Sequence, residues 1–215
     1  MPARPVILAP GLVHHPGWLD RAAQARLAAE VEAVLVAAPP FTPRMPRTGK
    51  PFSVRMSNAG PLGWVSDAGG YRYQPTHPET GAPWPALPPL ALAAWAALAG
   101  YPAPPEACLV NLYGPEARMG LHQDRDEDDL DAPVLSLSLG APARFRYGGL
   151  SRSDPTRSIR LEPGDALVMG GASRLCHHGV DRVLKAAPDL LDPGGSFPAP
   201  GWRCNLTLRR VTRPA

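Results

Sequence analysis

The chain has 215 residues, a formal net charge of +3 and a hydrophobic content of 44%. This length suits one well-filled domain and is too short for two full-sized ones. The hydrophobic content excludes an intrinsically disordered chain. The 22 basic residues include lysine only at Lys50 and Lys185, and arginine's bidentate contacts favour an acidic partner such as nucleic acid, although a solvated arginine-rich surface is the alternative.

Cysteine usage and hydropathy indicate the compartment. The three cysteines, Cys108, Cys176 and Cys204, lie in no CxxC spacing, which argues against a disulfide framework or a zinc knuckle. Pro5 and Pro10 interrupt the first apolar stretch before a signal-peptide core can form, and no run reaches transmembrane length. We therefore expect buried thiols, a cytoplasmic protein and no membrane partner.

Two helices are predicted in the first half of the chain, after a short extended piece. Apolar residues recur at helical spacing from Leu19 to Leu35, through an alanine-rich segment that closes at Pro39-Pro40. The second predicted helix runs from about Pro89 to Gly100. Both are interpreted as packing helices.

The segment between these helices, from Phe41 to Trp84, is rich in Pro, Gly, Arg and aromatic residues. Its basic and aromatic side chains are Arg44, Arg47, Lys50, Arg55, Trp64, Tyr71 and Tyr73. Such interleaving is typical of a loop-and-hairpin surface that contacts phosphates and stacks on bases. The alternative is a partly buried hairpin whose aromatic side chains belong to the core.

From Cys108 onward the sequence predicts one strand after another. The predicted strands are Cys108 to Tyr113, Gly120 to Gln123, Pro133 to Leu139, Arg144 to Tyr147, Ser158 to Leu161, Ala166 to Met169 and Cys204 to Val211. Short strands separated by Gly and Pro turns indicate an antiparallel sandwich or barrel. We expect an α+β, mainly β, monomer with a single domain over 1–215, made of an N-terminal extension over 1–107 and a β core over 108–215.

The candidate metal ligands are His122, Asp124 and His178. An H-x-D pair on an extended segment points both side chains to one face, and a distant histidine can add a third ligand. Two imidazoles and one carboxylate leave the opposite positions of the metal open, as non-heme Fe(II) oxygenases require to bind a co-substrate and O2. His177 is the alternative to His178, and Gly179 indicates a close approach beside the latter.

The last predicted strand alternates between polar and apolar residues. Its polar face carries Arg203, Asn205, Thr207 and Arg209, and its apolar face carries Cys204, Leu206 and Leu208. A buried guanidinium is costly without a partner, and a dicarboxylate would satisfy it. Asn111 and Tyr113 alternate likewise on an earlier strand and can complete the pocket. The alternative is a surface strand with its arginines in water.

Taken in order, these motifs resemble the AlkB family of Fe(II)- and 2-oxoglutarate-dependent dioxygenases, which demethylate alkylated nucleic acid bases. The matching motifs are Asn111-Leu112-Tyr113-Gly114-Pro115, Leu121-His122-Gln123-Asp124-Arg125-Asp126, Ser136-Leu137-Ser138-Leu139-Gly140, Gly164-Asp165, His178-Gly179 and the run from Arg203 to Arg209. The resemblance extends from about Phe52 to Arg209 and is greatest to the bacterial DNA-repair members. It implies a double-stranded β-helix, or jelly roll, preceded by a nucleotide-recognition lid at about 41–84.

The resemblance also implies roles for individual residues. Iron would be bound by His122, Asp124 and His178, 2-oxoglutarate by Asn111, Leu112, Tyr113, Arg203, Asn205 and Arg209, and the substrate base by Trp64, Tyr71, Arg72, Tyr73, Asp126 and Arg152. The implied reaction uses Fe(II), 2-oxoglutarate and O2 to demethylate 1-methyladenine and 3-methylcytosine in single- or double-stranded DNA, with RNA as a further candidate. Its products would be formaldehyde, succinate and CO2, and no catalytic group beyond the iron centre is implied.

Two features depart from the family pattern. The segment from Leu184 to Trp202 is longer than in the bacterial enzyme, and Cys176-His177 precedes the third ligand where bulky aromatic residues are more common. Two rival functions stay open at this point. One is a 2-oxoglutarate-dependent hydroxylase of a protein or small molecule, and the other is a non-catalytic nucleic-acid-binding module with a structural metal.

Overall fold

Strands dominate the computed structural model, which describes residues 3–185 and 197–214. Its strands are Val6–Ala9 (β1), Leu12–His15 (β2), Val54–Ala59 (β3), Gly63–Asp67 (β4), Gly70–Gln74 (β5), Ala107–Tyr113 (β6), Met119–His122 (β7), Val134–Gly140 (β8), Ala143–Tyr147 (β9), Arg157–Leu161 (β10), Ala166–Met169 (β11), His178–Val183 (β12) and Arg203–Arg209 (β13). Its α-helices are Arg21–Ala37 (α1) and Pro89–Leu98 (α2). The described helices include none that is long and apolar enough to cross a membrane.

The strands form two antiparallel sheets and a separate hairpin. The larger sheet has the order β1-β2-β11-β8-β13-β6-β3, and the smaller one has the order β10-β9-β12-β7. β4 and β5 pair only with each other, and we call them the β4–β5 hairpin. This arrangement is the double-stranded β-helix that the family resemblance implies, with antiparallel pairing throughout these strands.

β13 lies inside the larger sheet and pairs along its whole length with β6 on one side and β8 on the other. Its register places Arg203 opposite Tyr113 and Asn205 opposite Asn111. Directly paired residues share a face of the sheet, so the polar residues of both strands point the same way. The alternation in the sequence therefore becomes one polar wall between the two sheets.

The opposite face of β13 is covered by the two helices. Leu206 and Leu208 are fully buried there with Leu27 and Val31 of α1, and Trp95 of α2 belongs to the same cluster. Full burial of each such side chain stabilises the fold by about 1.5–3 kcal/mol. A second cluster fills the space between the sheets, and it includes Phe145, Leu161, Met169 and Val180.

In the N-terminal half, the structure contains a strand that the sequence does not predict. Helix α1 forms as expected, with Asp20 accepting a hydrogen bond from the Ala23 amide at 2.7 Å as its N-cap. β3, however, lies inside the 41–84 segment and pairs with β6 of the larger sheet. Among the described strands of that segment, the β4–β5 hairpin lies outside the larger sheet and is the candidate lid, whereas β3 is a strand of the β core.

Candidate active site

The two smaller-sheet strands β7 and β12 bring the candidate metal ligands together. His122 and His178 form a directly opposed pair, and their ring centroids are 4.5 Å apart. Asp124 follows the end of β7, with Oδ1 3.7 Å from His122 Nε2 and Oδ2 3.8 Å from His178 Nε2. The three residues offer ligand atoms that all lie within 4.8 Å of one another. In the described part of the chain His178, and not His177, completes this group.

Backbone carbonyls fix which nitrogen of each histidine is free. His122 Nδ1 lies 2.9 Å from the Gly120 oxygen, and His178 Nδ1 lies 3.1 Å from the Cys176 oxygen. A carbonyl oxygen can only accept, so each Nδ1 carries the hydrogen and donates it. Both Nε2 atoms therefore keep a free lone pair on the side of Asp124, as metal-ligating histidines do.

The electrostatics hold His178 and Asp124 in the protonation states that a metal ion needs. Burial and the neighbouring His122 lower the pKa of His178 to about 4, so its imidazole is neutral at physiological pH. Burial would by itself raise the pKa of Asp124, but the charge of the Arg209 guanidinium holds it below its usual range. A neutral imidazole and an ionised carboxylate suit a divalent cation such as Fe(II).

Arg203 supplies the strongest indication of an anion-binding site. It is 1% exposed, and its terminal nitrogens donate to Ser138 Oγ at 2.8 Å and the Ala141 carbonyl at 3.5 Å. Among the described residues, no carboxylate pairs with it and its Nε has no hydrogen-bond partner. A buried, unpaired guanidinium is costly, so these surroundings fit one carboxylate of 2-oxoglutarate.

A cavity of about 610 Å³ joins this arginine to the metal ligands. The expected 2-oxoglutarate residues that line it are Asn111, Tyr113, Arg203, Asn205 and Arg209. Burial raises the pKa of Tyr113 to about 12, so its hydroxyl stays neutral and can donate to an anion. The cavity therefore combines a metal site with cationic and neutral donors for a dicarboxylate.

The β4–β5 hairpin forms part of the cavity mouth. Trp64 and Tyr71 line the cavity, and their rings stack with centroids 5.6 Å apart and planes at 18°. The indole Nε1 of Trp64 donates to Asp126 Oδ2 at 2.8 Å, which connects the hairpin to the segment after the metal ligands. Asp126 and Arg152 also line the mouth.

Comparison with known proteins identifies the family. The family described as the 2OG-Fe(II) oxygenase superfamily matches residues 11–209. The chain is 52% identical to an alpha-ketoglutarate-dependent dioxygenase AlkB homolog of Caulobacter vibrioides, over 98% of this chain and 92% of that protein. The chain belongs to the AlkB family. It is also 49% identical to alpha-ketoglutarate-dependent dioxygenase AlkB of Escherichia coli K12, over 80% of this chain and 78% of that protein.

A solved structure agrees with this assignment. The structure described as "The structure of OsALKBH1" superposes with a TM-score of 0.78 at 31% identity, over 96% of this chain and 100% of that one. As an AlkB-family member, the protein is an Fe(II)/2-oxoglutarate-dependent dioxygenase that oxidatively demethylates alkylated nucleic acid bases. Its cofactor and co-substrates are Fe(II), 2-oxoglutarate and O2, and the site described above fits them.

Three residues that the AlkB resemblance implies do not line the cavity. Leu112 points to the other face of β6 and packs in the cluster beneath the helices. Arg72 pairs with Asp67, with both guanidinium nitrogens 2.9 Å from the carboxylate oxygens. Tyr73 lies behind the mouth, where its hydroxyl donates to Glu127. Direct contact of these three side chains with a ligand in the cavity stays a prediction.

The sequence does not single out two buried charges beside the metal ligands. Glu127 and Arg174 are 6% and 4% exposed and form an ion pair at 3.0 Å. Glu127 stands in an acidic run from Asp124 to Asp131 that is typical of a solvated loop. The longer segment from Leu184 to Trp202 includes residues 186–196, which lie outside the described residues, whereas Cys176 is buried and its carbonyl holds His178.

Proposed function

We propose that this AlkB-family enzyme repairs DNA by removing the methyl group from 1-methyladenine and 3-methylcytosine. The proposal rests mainly on the mouth of the cavity. There Trp64 of the β4–β5 hairpin is hydrogen bonded to Asp126, two residues past the metal ligand Asp124. An aromatic face and a carboxylate thus stand together at the entrance to an oxidising metal site. A small, planar and positively charged substrate suits this combination.

The charge of the damaged base supports this choice. Methylation at N1 of adenine or N3 of cytosine leaves a ring that is cationic near neutral pH. A cation over an indole face gains about 0.5–2 kcal/mol, and more when water is excluded. Asp126 adds a negative charge at the same entrance and can accept from an exocyclic amino group. The undamaged bases are neutral, so the site favours the lesion over its product.

The position of the site supports a base that has left the helical stack. The triad lies inside a cavity, so a base within a duplex cannot reach it without being turned out of the strand. The mouth carries exposed Arg125 and Arg152, which are placed to contact phosphates. We infer that single-stranded DNA, duplex DNA opened at the lesion, and RNA can all present such a base.

The protein's own residues bind and orient the reactants. Bound Fe(II) and 2-oxoglutarate supply the oxidation of the N-methyl group by O2. Arg203 binds one carboxylate of the co-substrate, and Arg209 and Asn205 lie where they can contact its other end. Phe145 and Val180 give the cavity an apolar wall that excludes water from the reacting group.

Mass spectrometry of methylated oligonucleotides tests the proposal. With Fe(II), 2-oxoglutarate and O2, we expect the wild type to remove one methyl group from 1-methyladenine and from 3-methylcytosine, and His122→Ala to remove none. Trp64→Ala is expected to lower kcat/KM for the oligonucleotide by about tenfold or more, since one base-stacking contact is worth about 1–3 kcal/mol. Succinate formation without demethylation of any single- or double-stranded substrate would refute the repair function.

The same experiment separates the two rival functions. A hydroxylase of a protein or small molecule would leave the oligonucleotide methylated and would be insensitive to Trp64→Ala. A non-catalytic nucleic-acid-binding module would bind DNA without consuming 2-oxoglutarate. The family membership and the joined metal and anion sites favour the enzyme. We further infer a monomer that works in the cytoplasm, where its three buried cysteines stay reduced.

A further inference from the structure

Glu127 is a buried carboxylate whose two oxygens are both occupied. Its Oε1 accepts from the Tyr73 hydroxyl and lies 3.3 Å from Arg209 Nε, and its Oε2 accepts from Arg174 at 3.0 Å. Burying a carboxylate is costly unless it is paired and hydrogen bonded. Glu127 meets that condition through one group from the β4–β5 hairpin and two groups beside the metal site.

The two arginines on Glu127 also hold the metal ligand Asp124. Arg209 places its second terminal nitrogen 2.8 Å from Asp124 Oδ2. Arg174 donates to the Asp124 main-chain oxygen at 2.6 Å and to the Ala132 carbonyl at 2.7 Å. Glu127 is therefore the central group of a network that fixes both the side chain and the backbone of a metal ligand.

Arg209 needs an orienting partner because it has two tasks. Its guanidinium must stay paired with Asp124 and must also present an N–H to the cavity that it lines. Arg209 Nε also donates to Asp124 Oδ2, at 3.3 Å, so both contacts with Asp124 meet one carboxylate oxygen and leave the planar group free to rotate about it. Glu127 Oε1 lies 3.3 Å from the same Nε and restricts this rotation as a second negative charge. The remaining terminal nitrogen of Arg209 lies 3.4 Å from the Tyr73 hydroxyl oxygen.

Tyr73 connects this network to the substrate entrance. It lies on β5 directly opposite Trp64 of β4, the residue that meets Asp126 at the mouth. Its own hydroxyl reaches past the mouth to Glu127 and Arg209. A shift of Arg209 would therefore move Tyr73 and, with it, the strand pair that carries Trp64. In the same way, movement of the hairpin would move the Tyr73 hydroxyl against Arg209.

We propose that Glu127 is a positioning residue for 2-oxoglutarate, and that Tyr73 couples the β4–β5 hairpin to it, so that co-substrate binding and hairpin closure stabilise each other. This inference rests on the proposed role of Arg209 in holding 2-oxoglutarate. The coupling is reciprocal by linkage: if the closed hairpin raises the affinity for 2-oxoglutarate, 2-oxoglutarate stabilises the closed hairpin to the same degree.

The first test measures 2-oxoglutarate binding to Mn(II)-loaded protein by calorimetry, without any nucleic acid. We expect Glu127→Gln to weaken binding by about tenfold or more and Tyr73→Phe by about fivefold, within the usual range of coupling between sites. The double variant should be little weaker than Glu127→Gln alone, because both changes break one network. Tyr101→Phe is the matched control, since it removes a hydroxyl that donates to a carboxylate outside the cavity, Asp129 Oδ2 at 2.7 Å, and it should bind 2-oxoglutarate as the wild type does.

The second test follows hydrogen exchange of residues 63–74 in the same Mn(II)-loaded proteins. We expect 2-oxoglutarate to slow this exchange in the wild type and in Tyr101→Phe, and to leave it unchanged in Tyr73→Phe. Tyr73→Phe keeps the ring and its packing, so it carries the test even if Glu127→Gln fails to fold.

Three results would overturn the proposal: unaltered affinity in Tyr73→Phe, additive effects in the double variant, or hairpin exchange in the wild type that ignores 2-oxoglutarate. Both readouts omit nucleic acid, so their failure leaves the demethylation proposal standing. Conversely, intact coupling in a protein that repairs no methylated base would refute the proposed repair function alone.

Discussion

Arg203 is the single residue whose surroundings depend most on a ligand. It is buried and holds a positive charge, yet its described neighbours give it only a hydroxyl and a carbonyl oxygen. Burial lowers the pKa of its guanidinium, which shows how poorly the protein alone compensates the charge. We propose that a carboxylate of 2-oxoglutarate supplies the compensation, so Arg203 should contribute to co-substrate affinity and not to the stability of the protein alone.

We expect Arg203→Met to weaken 2-oxoglutarate binding by about 30-fold or more, because losing one partner of a buried charge pair costs about 2–5 kcal/mol. Without 2-oxoglutarate the variant should be at least as stable as the wild type, since a buried unpaired charge has been replaced by an apolar chain of similar length. Calorimetry and thermal unfolding measure the two effects. A variant that is clearly less stable and still binds 2-oxoglutarate normally would contradict the role given to Arg203.

Residue patterns in the sequence anticipate the metal and anion sites better than the network behind them. His122 and Asp124 are close in sequence, and the alternation along β13 marks which residues share a wall. Glu127 gives no such signal, because nothing in an acidic run distinguishes the one carboxylate that turns inward. Tyr73 is ambiguous for the same reason, since an aromatic residue on a hairpin can face a substrate or a buried carboxylate.

Among the elements of the fold, the paired strands β7 and β12 determine the metal site. Gly179 belongs to β12 and faces β7, where an added Cβ would be 2.5 Å from the Met119 oxygen and 2.8 Å from the Gly120 oxygen. A side chain there must push β7 away from β12. Because His122 and His178 face each other across these strands, the metal ligands would separate.

We therefore expect Gly179→Ala to lower the free energy of unfolding by about 1–3 kcal/mol and to weaken Fe(II) binding. Gly120→Ala is the matched control on β7, since a Cβ at Gly120 meets nothing within 4 Å, and its stability should stay within about 0.5 kcal/mol of the wild type. Denaturant titration and anaerobic metal titration give both quantities. Equal behaviour of the two variants would contradict the steric account.

The buried carboxylate of Asp165 joins β2 to the turn before β11. Asp165 accepts from His14 Nε2 and from the amides of Gly17 and Glu162, at 2.8, 2.8 and 2.9 Å. Burial opposes its ionisation, but these hydrogen bonds hold its pKa below its usual value. A carboxyl group with a lowered folded-state pKa stabilises the fold above its unfolded pKa of about 3.9, and this contribution is lost as the pH falls through the folded value.

We expect Asp165→Asn to be less stable than the wild type by about 1–3 kcal/mol at pH 7, and the difference to shrink as the pH falls below about 4. Urea titrations at several pH values measure it. Asp20→Asn provides the same chemical change at the α1 N-cap, where Asn serves about as well, and should have little effect. A deficit for Asp165→Asn that stays constant down to acid pH would show that its charge does not matter.

The periodicity of apolar residues predicts the helices and most core strands, but not β12 or β3. The helices and most core strands are found close to their predicted positions, because their apolar residues repeat along a long stretch or stand between clear turns. β12 is not predicted, since Gly179 and the charged pair Asp181 and Arg182 obscure its alternation. β3 is hidden within a segment whose Pro and Arg content suggests a loop. Both strands form because they pair with strands that are distant in the sequence, and local hydrophobic periodicity contains no information about such pairing.

At the scale of the whole molecule, the N-terminal half and the β core are parts of one structure. β2 pairs with β11 and β3 pairs with β6, so residues before 107 contribute the strands at both edges of the larger sheet. Helices α1 and α2 cover the apolar face of β13. We propose that the single domain over 1–215 folds as one unit and that the core over 108–215 depends on the extension.

We expect the full chain to unfold in one cooperative transition, with fluorescence and near-ultraviolet circular dichroism changing together. A fragment of residues 108–215 should lack fixed tertiary structure, because it exposes the apolar face that the helices cover and two unpaired sheet edges. A fragment that gives a native-like spectrum and a cooperative transition would show that the extension is dispensable for the fold.

We propose above all that oxidation at this metal site is directed to an alkylated base. The most direct measurement is the yield of succinate, formaldehyde and restored base from one 3-methylcytosine oligonucleotide, incubated with Fe(II), 2-oxoglutarate, O2 and the wild-type protein. We expect the three products in equal amounts, and none of them above background with His122→Ala. Succinate in excess, with neither formaldehyde nor restored base, would contradict the claim.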